Sequence, residues 1–584
     1  MKQAFRLVAF TLLPGLVGCA GGTHSIVFGD IENSSEANPL SVVQQHLSRH
    51  GIANGANVVV GVMDRGIVGL GLDSHHKWFY PHPVNGGVWI TGQIVVAGDG
   101  KRFTAMEAAT GNVVWEQKGL GQIRGASDDG QSTLVWLTSG PKTPGILQTI
   151  DRRGHVHRTI DVPEDVGIPA MVGNVGFVPW RNRFVSLVDF EGPKEIARFD
   201  QGYPTALAWV MDQAVYVGRD VFTRYDDRIT TTGIGRATTK EIPKQQLVDD
   251  PTWFPVAGIA GPITREPIEN TKIFAKPTPQ GATAGYDGQR YYASNRRIVL
   301  GLRDDTGELV WVRRLEANIL AGAAFEGGVV LCDRAGNVQS FEGKTGALAE
   351  QVSLGTALRA CVIQVDRFSK PAAPRPKPLV EQLSEAIDGA DASGVKMQGM
   401  LVRELGKQPS ALATERLIDL AFDSKTLPEL MVEVRDGISG RRNGQEAMLA
   451  ALSRRYDYLA GVLMTPPVGP LADALAAMKE GRAAPLLAEH LNDPANRTDD
   501  VKRAALALEV LATEAEREPL ETFFALYRAT AYDDDMTQAV VSVARTLIRI
   551  AGDEGKELVR AAAYDPMTVP PLQQPLRRLV SEGS

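Results

Sequence analysis

A strand–turn–strand unit recurs through the first two-thirds of this 584-residue chain. Three copies are clear, and they read FTAMEAATGNVVW (103–115), LGLRDDTGELVW (300–311) and VQSFEGKTGAL (338–348). Weaker copies turn at Arg153-Gly154, Glu191-Gly192, Asp226-Asp227 and Asp73-Ser74. The turn glycines Gly111, Gly154, Gly192, Gly307 and Gly346 are separated by 43, 38, 115 and 39 residues. A recurring period of about 40 residues with short strands is typical of propeller blades.

The composition of the unit also favours a β-propeller. Glycine at the turn supplies the positive φ of a tight hairpin, and strands such as Val113 to Trp115 are short and β-branched. One such sheet cannot bury both of its faces, whereas radial packing buries them and leaves only short edges. We therefore expect a seven-bladed β-propeller over residues 57–365, or eight blades if the longest interval hides one.

The stretch 230–284 interrupts the period. It is rich in Pro, Gly, Thr and Lys, and a loop this long in a compact domain is usually functional or disordered. Trp253 and Phe254 lie near its middle and are candidates for a partner-binding loop. The alternative is that both rings fold back on the propeller as a small satellite core.

The copies at Ala105 to Trp115 and at Arg303 to Trp311 resemble the pyrroloquinoline-quinone-type propeller repeat, which also occurs in the lipoprotein family of the outer-membrane β-barrel assembly machinery. The resemblance implies that Trp78, Trp115 and Trp311 pack between neighbouring blades, with Gly111, Gly307 and Gly346 in the adjoining turns. Quinoprotein dehydrogenases of this kind carry adjacent cysteines and calcium ligands, which this sequence lacks, so no cofactor is expected. In the assembly lipoproteins the propeller binds partner proteins.

The first residues resemble a bacterial lipoprotein signal peptide (1–18). Lys2 and Arg6 precede a short apolar stretch that ends in Leu16-Val17-Gly18-Cys19. The resemblance implies cleavage before Cys19, which then carries diacylglycerol and an N-acyl chain, and the alternative is an ordinary secretory signal. Ala20, where an Asp would favour the inner membrane, implies an outer-membrane anchor facing the periplasm. Residues 19–56 would then be the acylated cysteine and a tether.

A proline-rich linker at 366–378 precedes a helical region at 379–584. Apolar residues recur at helical spacing, as in Val501, Ala505, Leu508 and Leu511 after the possible cap Asp499. The strip LLAEHLNDPANRTDDVKRAALALEVLA resembles a HEAT repeat. We expect about five stacked helix pairs in an α-solenoid, so that the chain is multidomain, β then α. The alternative is a plain helical bundle packed on the propeller.

No sequence motif for chemistry stands out. The histidines His75, His76 and His82 have no partner at zinc-like spacing, and Gly343-Lys344-Thr345 fits a blade turn better than a phosphate loop. The net charge is −7 with no basic block, so nucleic acid is not an expected partner. Cys332 and Cys361 could form a disulfide, but sequence does not give their distance.

These observations predict a non-catalytic, membrane-anchored scaffold that binds envelope proteins. The alternative is an enzyme or a small-molecule or glycan sensor that uses the propeller funnel, because such sites leave no linear motif.

Overall fold

The computed structural model describes residues 28, 39–52, 54–85, 87–118, 121–139, 143–163, 165–192, 194–211, 214–218, 221–225, 236–238, 252–254, 272–274, 278–279, 290–303, 308–325, 327–366, 375–388, 394–454 and 465–581. These residues form seven β-sheets, followed along the chain by a helical region.

One helix and three sheets come first. Helix α1 spans Pro39–Arg49, inside the segment that was predicted to be a tether. The strands that follow are β1 Val58–Val62, β2 Ile67–Gly71 and β3 Lys77–Tyr80 in sheet 1, β4 Gly87–Thr91, β5 Ile94–Gly98, β6 Arg102–Glu107 and β7 Val113–Lys118 in sheet 2, and β8 Gln122–Asp128, β9 Ser132–Thr138, β10 Gly145–Asp151 and β11 Val156–Val162 in sheet 3.

Two further sheets begin before the stretch 230–284. The strands are β12 Ala170–Val172, β13 Val175–Trp180, β14 Phe184–Asp189 and β15 Lys194–Asp200 in sheet 4, and β16 Leu207–Met211, β17 Ala214–Gly218, β18 Val221–Tyr225 and β19 Arg236–Thr238 in sheet 5.

The remaining strands are β20 Thr252–Phe254, β21 Lys272–Phe274, β22 Thr278–Pro279, β23 Arg290–Asn295, β24 Ile298–Arg303, β25 Leu309–Arg314, β26 Ile319–Phe325, β27 Gly328–Asp333, β28 Asn337–Glu342, β29 Leu348–Ser353 and β30 Ala360–Gln364. β22 joins sheet 5. β20, β21, β23, β24 and β25 form sheet 6, β26 to β29 form sheet 7, and β30 belongs to sheet 1. Four short strands therefore lie inside the stretch 230–284, which had been predicted as a loop.

Burial follows the position of each strand in its sheet. The central strands β1 and β5 are buried at every residue, whereas the outer strand β7 alternates between one buried residue and exposed or half-buried neighbours. This is the pattern of a sheet that is covered on both faces at its centre and solvated at its rim. The turn between β6 and β7 contains Gly111 with φ +74°, which a side chain would oppose.

The sheets pack face to face around a common axis. Six apolar cores are each shared by two consecutive sheets, between sheets 1 and 2, 2 and 3, 3 and 4, 4 and 5, 6 and 7, and 7 and 1. The strand β30 closes the arrangement because it pairs with β1, from the opposite end of the domain, in the register Val60↔Val362. The predicted propeller-like arrangement is confirmed.

Eleven further helices are described after the propeller. They are α2 Leu379–Ile387, α3 Val395–Lys407, α4 Ala411–Phe422, α5 Pro428–Ser439, α6 Gln445–Leu452, α7 Val468–Ala477, α8 Ala483–Leu491, α9 Thr498–Leu511, α10 Arg517–Tyr527, α11 Asp534–Tyr564 and α12 Pro570–Ser581. Asp499 lies in the first turn of α9 and is not its cap. Gly552, with φ +57°, divides α11 into two straight parts.

The helices form two layers. α3, α5, α7, α9 and α11 each contact the next, and α4, α6, α8 and α10 do the same in the second layer. Three helix-to-helix turns share one hydrogen-bond design, in which a side chain donates to the carbonyl six residues earlier: Thr426 to Leu420 (2.7 Å), Asn496 to His490 (2.8 Å) and Thr568 to Ala562 (2.7 Å). This recurrence indicates an internal structural repeat.

Among the described residues, no helix is both long enough and apolar enough to cross a bilayer.

Candidate functional site

Two of the predicted blade-junction tryptophans lie between glycines of consecutive sheets. Trp78 of β3 packs on Gly69 of its own sheet, where an added Cβ would lie 2.0 Å from Cε2. On its other side is Gly111 of sheet 2, where a Cβ would lie 2.6 Å from Cδ2. Its indole Nε1 donates to the Ala108 carbonyl at 2.9 Å. The ring therefore fills a slot that only two glycines leave open.

Trp311 of β25 has the same geometry at the junction of sheets 6 and 7. A Cβ at Gly301 would lie 2.2 Å from its Cε2, and a Cβ at Gly346 of sheet 7 would lie 2.4 Å from its Cδ2. Its Nε1 donates to the Gly343 carbonyl at 2.8 Å, and none of the side chain is exposed. Gly307, the third predicted turn glycine, lies outside the described residues.

Trp115 is buried at the junction of sheets 2 and 3 but is held differently. The residue opposite it on β6 is Ala105, where Trp78 and Trp311 face glycine. Because Ala105 carries a Cβ, the indole cannot lie flat on the strand, and it meets Phe103 edge to face at 5.8 Å. Its Nε1 has no hydrogen-bond partner among the described residues. The same sequence motif thus yields two junction geometries.

Of the other predicted site residues, Trp253 and Phe254 are described by their backbone only. Trp253 and Phe254 belong to β20, which pairs in parallel with β21, so their backbone is a strand and not a loop. Their side chains, like Cys19, are outside the described residues. Cys332 of β27 and Cys361 of β30 form a disulfide between sheets 7 and 1, with a Cα–Cα distance of 6.5 Å. The pairing that sequence left open is therefore made at the seam of the ring.

A cleft opens where the inner strands end, and we call it the axial cleft. Its walls come from five sheets and from the chain that follows α1. The residues that line it include Ile52, Gly92, Asp128, Asp129, Met171, Trp209, Gln364 and Asp366. These positions are far apart in sequence and meet because each inner strand points the same way along the axis.

The polar groups of the axial cleft are organised by hydrogen bonds. Gln364 Nε2 donates to the carbonyls of Ala56 (3.0 Å) and Gly92 (2.9 Å), which joins sheets 1 and 2 at the closure. The Asp366 carboxylate accepts from the Gly55 amide at 2.5 Å. Asp129 accepts from the Asn174 amide at 3.0 Å and so connects sheets 3 and 4. Hydrogen bonds therefore join neighbouring sheets at the axial cleft.

Asp128 is the most buried carboxylate of the cleft. Its side chain is 1% exposed, and it pairs with Arg152 Nη2 at 2.7 Å and accepts from Thr133 Oγ1 at 3.2 Å. Burial raises the pKa of Asp128 to about 6, although the Arg152 guanidinium opposes the rise. The charge of this wall of the cleft thus changes over a mildly acidic range.

His75, His76 and His82 are exposed, and so are His155 and His157. His75 Nε2 lies 2.6 Å from Glu350, and His155 and His157 share the Asp151 carboxylate at 3.3 and 3.4 Å. Within the described ranges, no group of three His, Cys, Asp or Glu side chains is arranged to hold a metal ion.

Ion pairs join neighbouring helices of the helical array. Arg435 of α5 pairs with Asp500 of α9, and Lys502 of α9 pairs with Asp535 of α11 at 2.6 Å. Single large apolar side chains stand exposed among these pairs, as at Val510 (58%) and Tyr532 (69%). Such residues are available for contact with another protein.

Sequence reasoning missed three positioning residues. Gln382 of α2 accepts from the Val312 amide at 3.1 Å and donates to the Lys377 carbonyl at 2.6 Å. Arg441, 3% exposed, donates to five acceptors around the turn from α3 to α4, including the Gly406 carbonyl at 2.8 Å. Phe28 packs on Trp180. A polar residue on the apolar face of α2 was the only available signal for Gln382.

Comparisons with known proteins give a limited result. No protein-family model matches the sequence. No curated protein matches it either. Among solved structures, the chain is similar to BamB from Moraxella catarrhalis, with 14% identity, a TM-score of 0.26, and coverage of 53% of this chain and 83% of that one.

Two other solved proteins are similar to the chain. The computationally designed Ika8 protein matches with 12% identity, a TM-score of 0.29, and coverage of 57% of this chain and 93% of that one. Hsv2 from Kluyveromyces lactis with its complete loop 6CD matches with 10% identity, a TM-score of 0.26, and coverage of 45% of this chain and 73% of that one. The fold is therefore defined by the strand order and pairing of the seven sheets, and not by these matches.

Proposed function

We propose that the chain is an acylated envelope lipoprotein that works as a non-catalytic scaffold for other envelope proteins. In this proposal the seven sheets are the blades of one propeller, the helical region is a HEAT-like solenoid, and Cys19 carries the lipid. The lipid is its only attached group, and the outer membrane is its location, facing the periplasm.

The observation that carries the proposal is the junction between the two domains. Leu302 and Val312 of sheet 6 belong to one buried cluster with Val380 and Leu383 of α2 and with the core of the helical array. Gln382 reaches across the junction to the Val312 amide. Because a buried apolar junction resists domain motion, the two repeat surfaces keep a fixed relation to each other. A fixed pair of extended surfaces suits the assembly of partners better than a moving pair does.

Site-specific photo-crosslinking in cells tests this proposal. A photoreactive residue replaces Val510 or Tyr532 on the helical array, and Val113 on the exposed rim strand β7 probes the propeller in the same way. We expect discrete adducts with one or a few envelope proteins from the helical positions. Absence of adducts across a panel of exposed positions on both domains would overturn the scaffold role.

The lipid anchor is tested separately. Cys19→Ser should abolish incorporation of an alkyne-labelled fatty acid and release the chain from the membrane fraction, because one acylated cysteine provides the anchor. A variant that stays in the membrane fraction contradicts the anchor.

The axial cleft favours a second function, in which the propeller binds a small molecule or a glycan. Trp209 lines this concave site together with the polar side chains of Asp129 and Gln364. Soluble cell-wall fragments should then shift the melting temperature of the protein, and Trp209→Ala should remove the shift. An equal shift in the variant, or none in the natural chain, excludes this function for the cleft.

A further inference from the structure

Phe28 is held against the rim of sheet 4, well before the first propeller strand. Its ring meets Trp180 edge to face, with ring centroids 5.6 Å apart and an interplanar angle of 74°. Phe28 also packs on the apolar core between sheets 3 and 4, to which Trp180, itself 1% exposed, belongs. Edge-to-face contact is a preferred geometry for aromatic pairs.

The helix α1 is seated on the same sheet. Val43 and Leu47 are buried in the core shared by sheets 4 and 5. His46 Nε2 lies 2.5 Å from the Val172 carbonyl, and a Cβ on Gly173 would lie 2.4 Å from the His50 ring. Burial lowers the pKa of His46, and because the Val172 carbonyl can only accept, the imidazole Nε2–H donates this bond. We call Phe28 and α1 together the N-terminal strap.

The position of Phe28 decides how far the propeller can stand from an acylated Cys19. Nine residue steps separate the two, and a fully extended chain spans about 30 Å over nine steps. If α1 were the first attachment, the twenty steps to Pro39 would span about 70 Å. A domain of roughly 310 residues has a radius of gyration of about 20 Å, so it is about 50 Å across. The longer leash would allow any blade to face the membrane, whereas the shorter one does not.

We infer that the strap orients the protein on the membrane, with the rim of sheet 4 facing the lipid headgroups and sheet 1 facing away. This inference rests on the proposed lipid anchor. The partner of this surface is the bilayer that holds the acyl chains of Cys19.

The turn that would face the membrane carries two arginines, each beside an aspartate. Arg181 and Arg183 lie in the turn from β13 to β14, with side chains 44% and 60% exposed. Arg181 is 3.8 Å from Asp165, and Arg183 is 2.5 Å from Asp200, so each guanidinium is partly neutralised. Their remaining donors point to anionic headgroups as the preferred contact, an attraction that falls with salt.

Energy transfer from single labels to a headgroup-labelled lipid measures the orientation. The full acylated chain is reconstituted in vesicles of phosphatidylethanolamine and phosphatidylglycerol, with a donor dye on Asn182→Cys in the sheet 4 turn. The matched control carries the dye on Arg65→Cys, in the equivalent turn of sheet 1 across the ring. Both positions are exposed, and the natural pair Cys332 and Cys361 is closed in a disulfide. We expect severalfold stronger transfer from position 182.

A second pair of variants isolates the strap. Phe28→Ala should reduce the difference in energy transfer between the two labels to a small remainder, because the next described contact with the propeller is made by α1, which begins eleven residues later. Phe28→Tyr keeps an aromatic ring on Trp180 and should preserve the difference. Equal loss in both variants would show that the Phe28 ring does not set the orientation, and it overturns the inference.

Vesicle flotation separates the two proposals. A chain that does not float overturns the lipid anchor and, with it, this inference. A chain that floats but gives equal transfer from positions 182 and 65 overturns only the orientation.

Discussion

Substitution of Gly346 by alanine probes the junction between sheets 6 and 7. The new Cβ would lie 2.4 Å from Cδ2 of Trp311, a ring with no exposed surface, so the indole or the turn must move. Overpacking of this kind costs about 1–3 kcal/mol. Gly346 also has φ +63°, and a non-glycine residue in the left-handed region costs a further 1–2 kcal/mol, roughly. We expect Gly346→Ala to lower the free energy of unfolding by about 2–5 kcal/mol in total.

A matched control lies nine residues further along the chain. Gly355 has φ +77°, but nothing stands within 4 Å of a Cβ placed there, so Gly355→Ala carries only the backbone cost of about 1–2 kcal/mol. The difference between the two variants is the contact with Trp311. It should disappear in a Trp311→Ala background, where the slot is empty, which gives a coupling energy of about 1–3 kcal/mol.

Guanidinium unfolding followed by circular dichroism measures these values on the purified chain. Hydrogen exchange of the β28–β29 peptide reports the same junction locally, which matters because a two-domain chain need not unfold in one step. If Gly346→Ala is no worse than Gly355→Ala, or if its extra cost survives in the Trp311→Ala background, the slot described above does not hold the sheets together.

Three other perturbations have expected outcomes. Cys332→Ala with Cys361→Ala should lower the free energy of unfolding by about 3–4 kcal/mol, since the disulfide spans 29 residues, and reductant should destabilise the natural chain but not the variant in a melting experiment. Burial raises the pKa of Asp128 from 3.8 to about 6, so this carboxyl stabilises the fold fully below about pH 4, and the stabilisation is lost as the pH rises through 6. Relative to Asp128→Asn, the free energy of unfolding of the natural chain should fall by about 3 kcal/mol over that window. Parallel curves of stability against pH for the two chains would contradict this. Gln382→Ala leaves the buried Val312 amide without its acceptor and should lower the free energy of unfolding by about 1–3 kcal/mol, with faster proteolysis at 366–378; unchanged stability and an unchanged cleavage rate would contradict this.

Much of the architecture could be read from local patterns. Turn glycines at a period of about 40 residues and short β-branched strands predicted the packed sheets, and the apolar spacing from Val501 to Leu511 predicted the helix that the structure places at Thr498–Leu511. These features depend on residues close in sequence, whose spacing fixes which face of a strand or helix is buried.

Other features escaped sequence reasoning because they depend on contacts between distant residues. Nothing near Ala360–Gln364 indicates that this strand completes the first sheet, since its partner Val58–Val62 lies about three hundred residues earlier. Trp115 carries the same motif as Trp311, yet the opposite residue, Ala105 in place of Gly301, turns its ring. The axial cleft unites residues from five sheets, and no linear pattern marks them.

The amino-acid sequence by itself therefore determined the kinds of element, their order and the glycine–tryptophan pairs that fit at the sheet junctions. Only the tertiary structure decided the disulfide between sheets 7 and 1, the hydrogen bond between Gln382 and the Val312 amide, and the contact of Phe28 with Trp180. The physical reason is that propensity and periodicity act over a few residues, whereas ring closure, domain docking and the strap depend on which surfaces meet after the chain has packed.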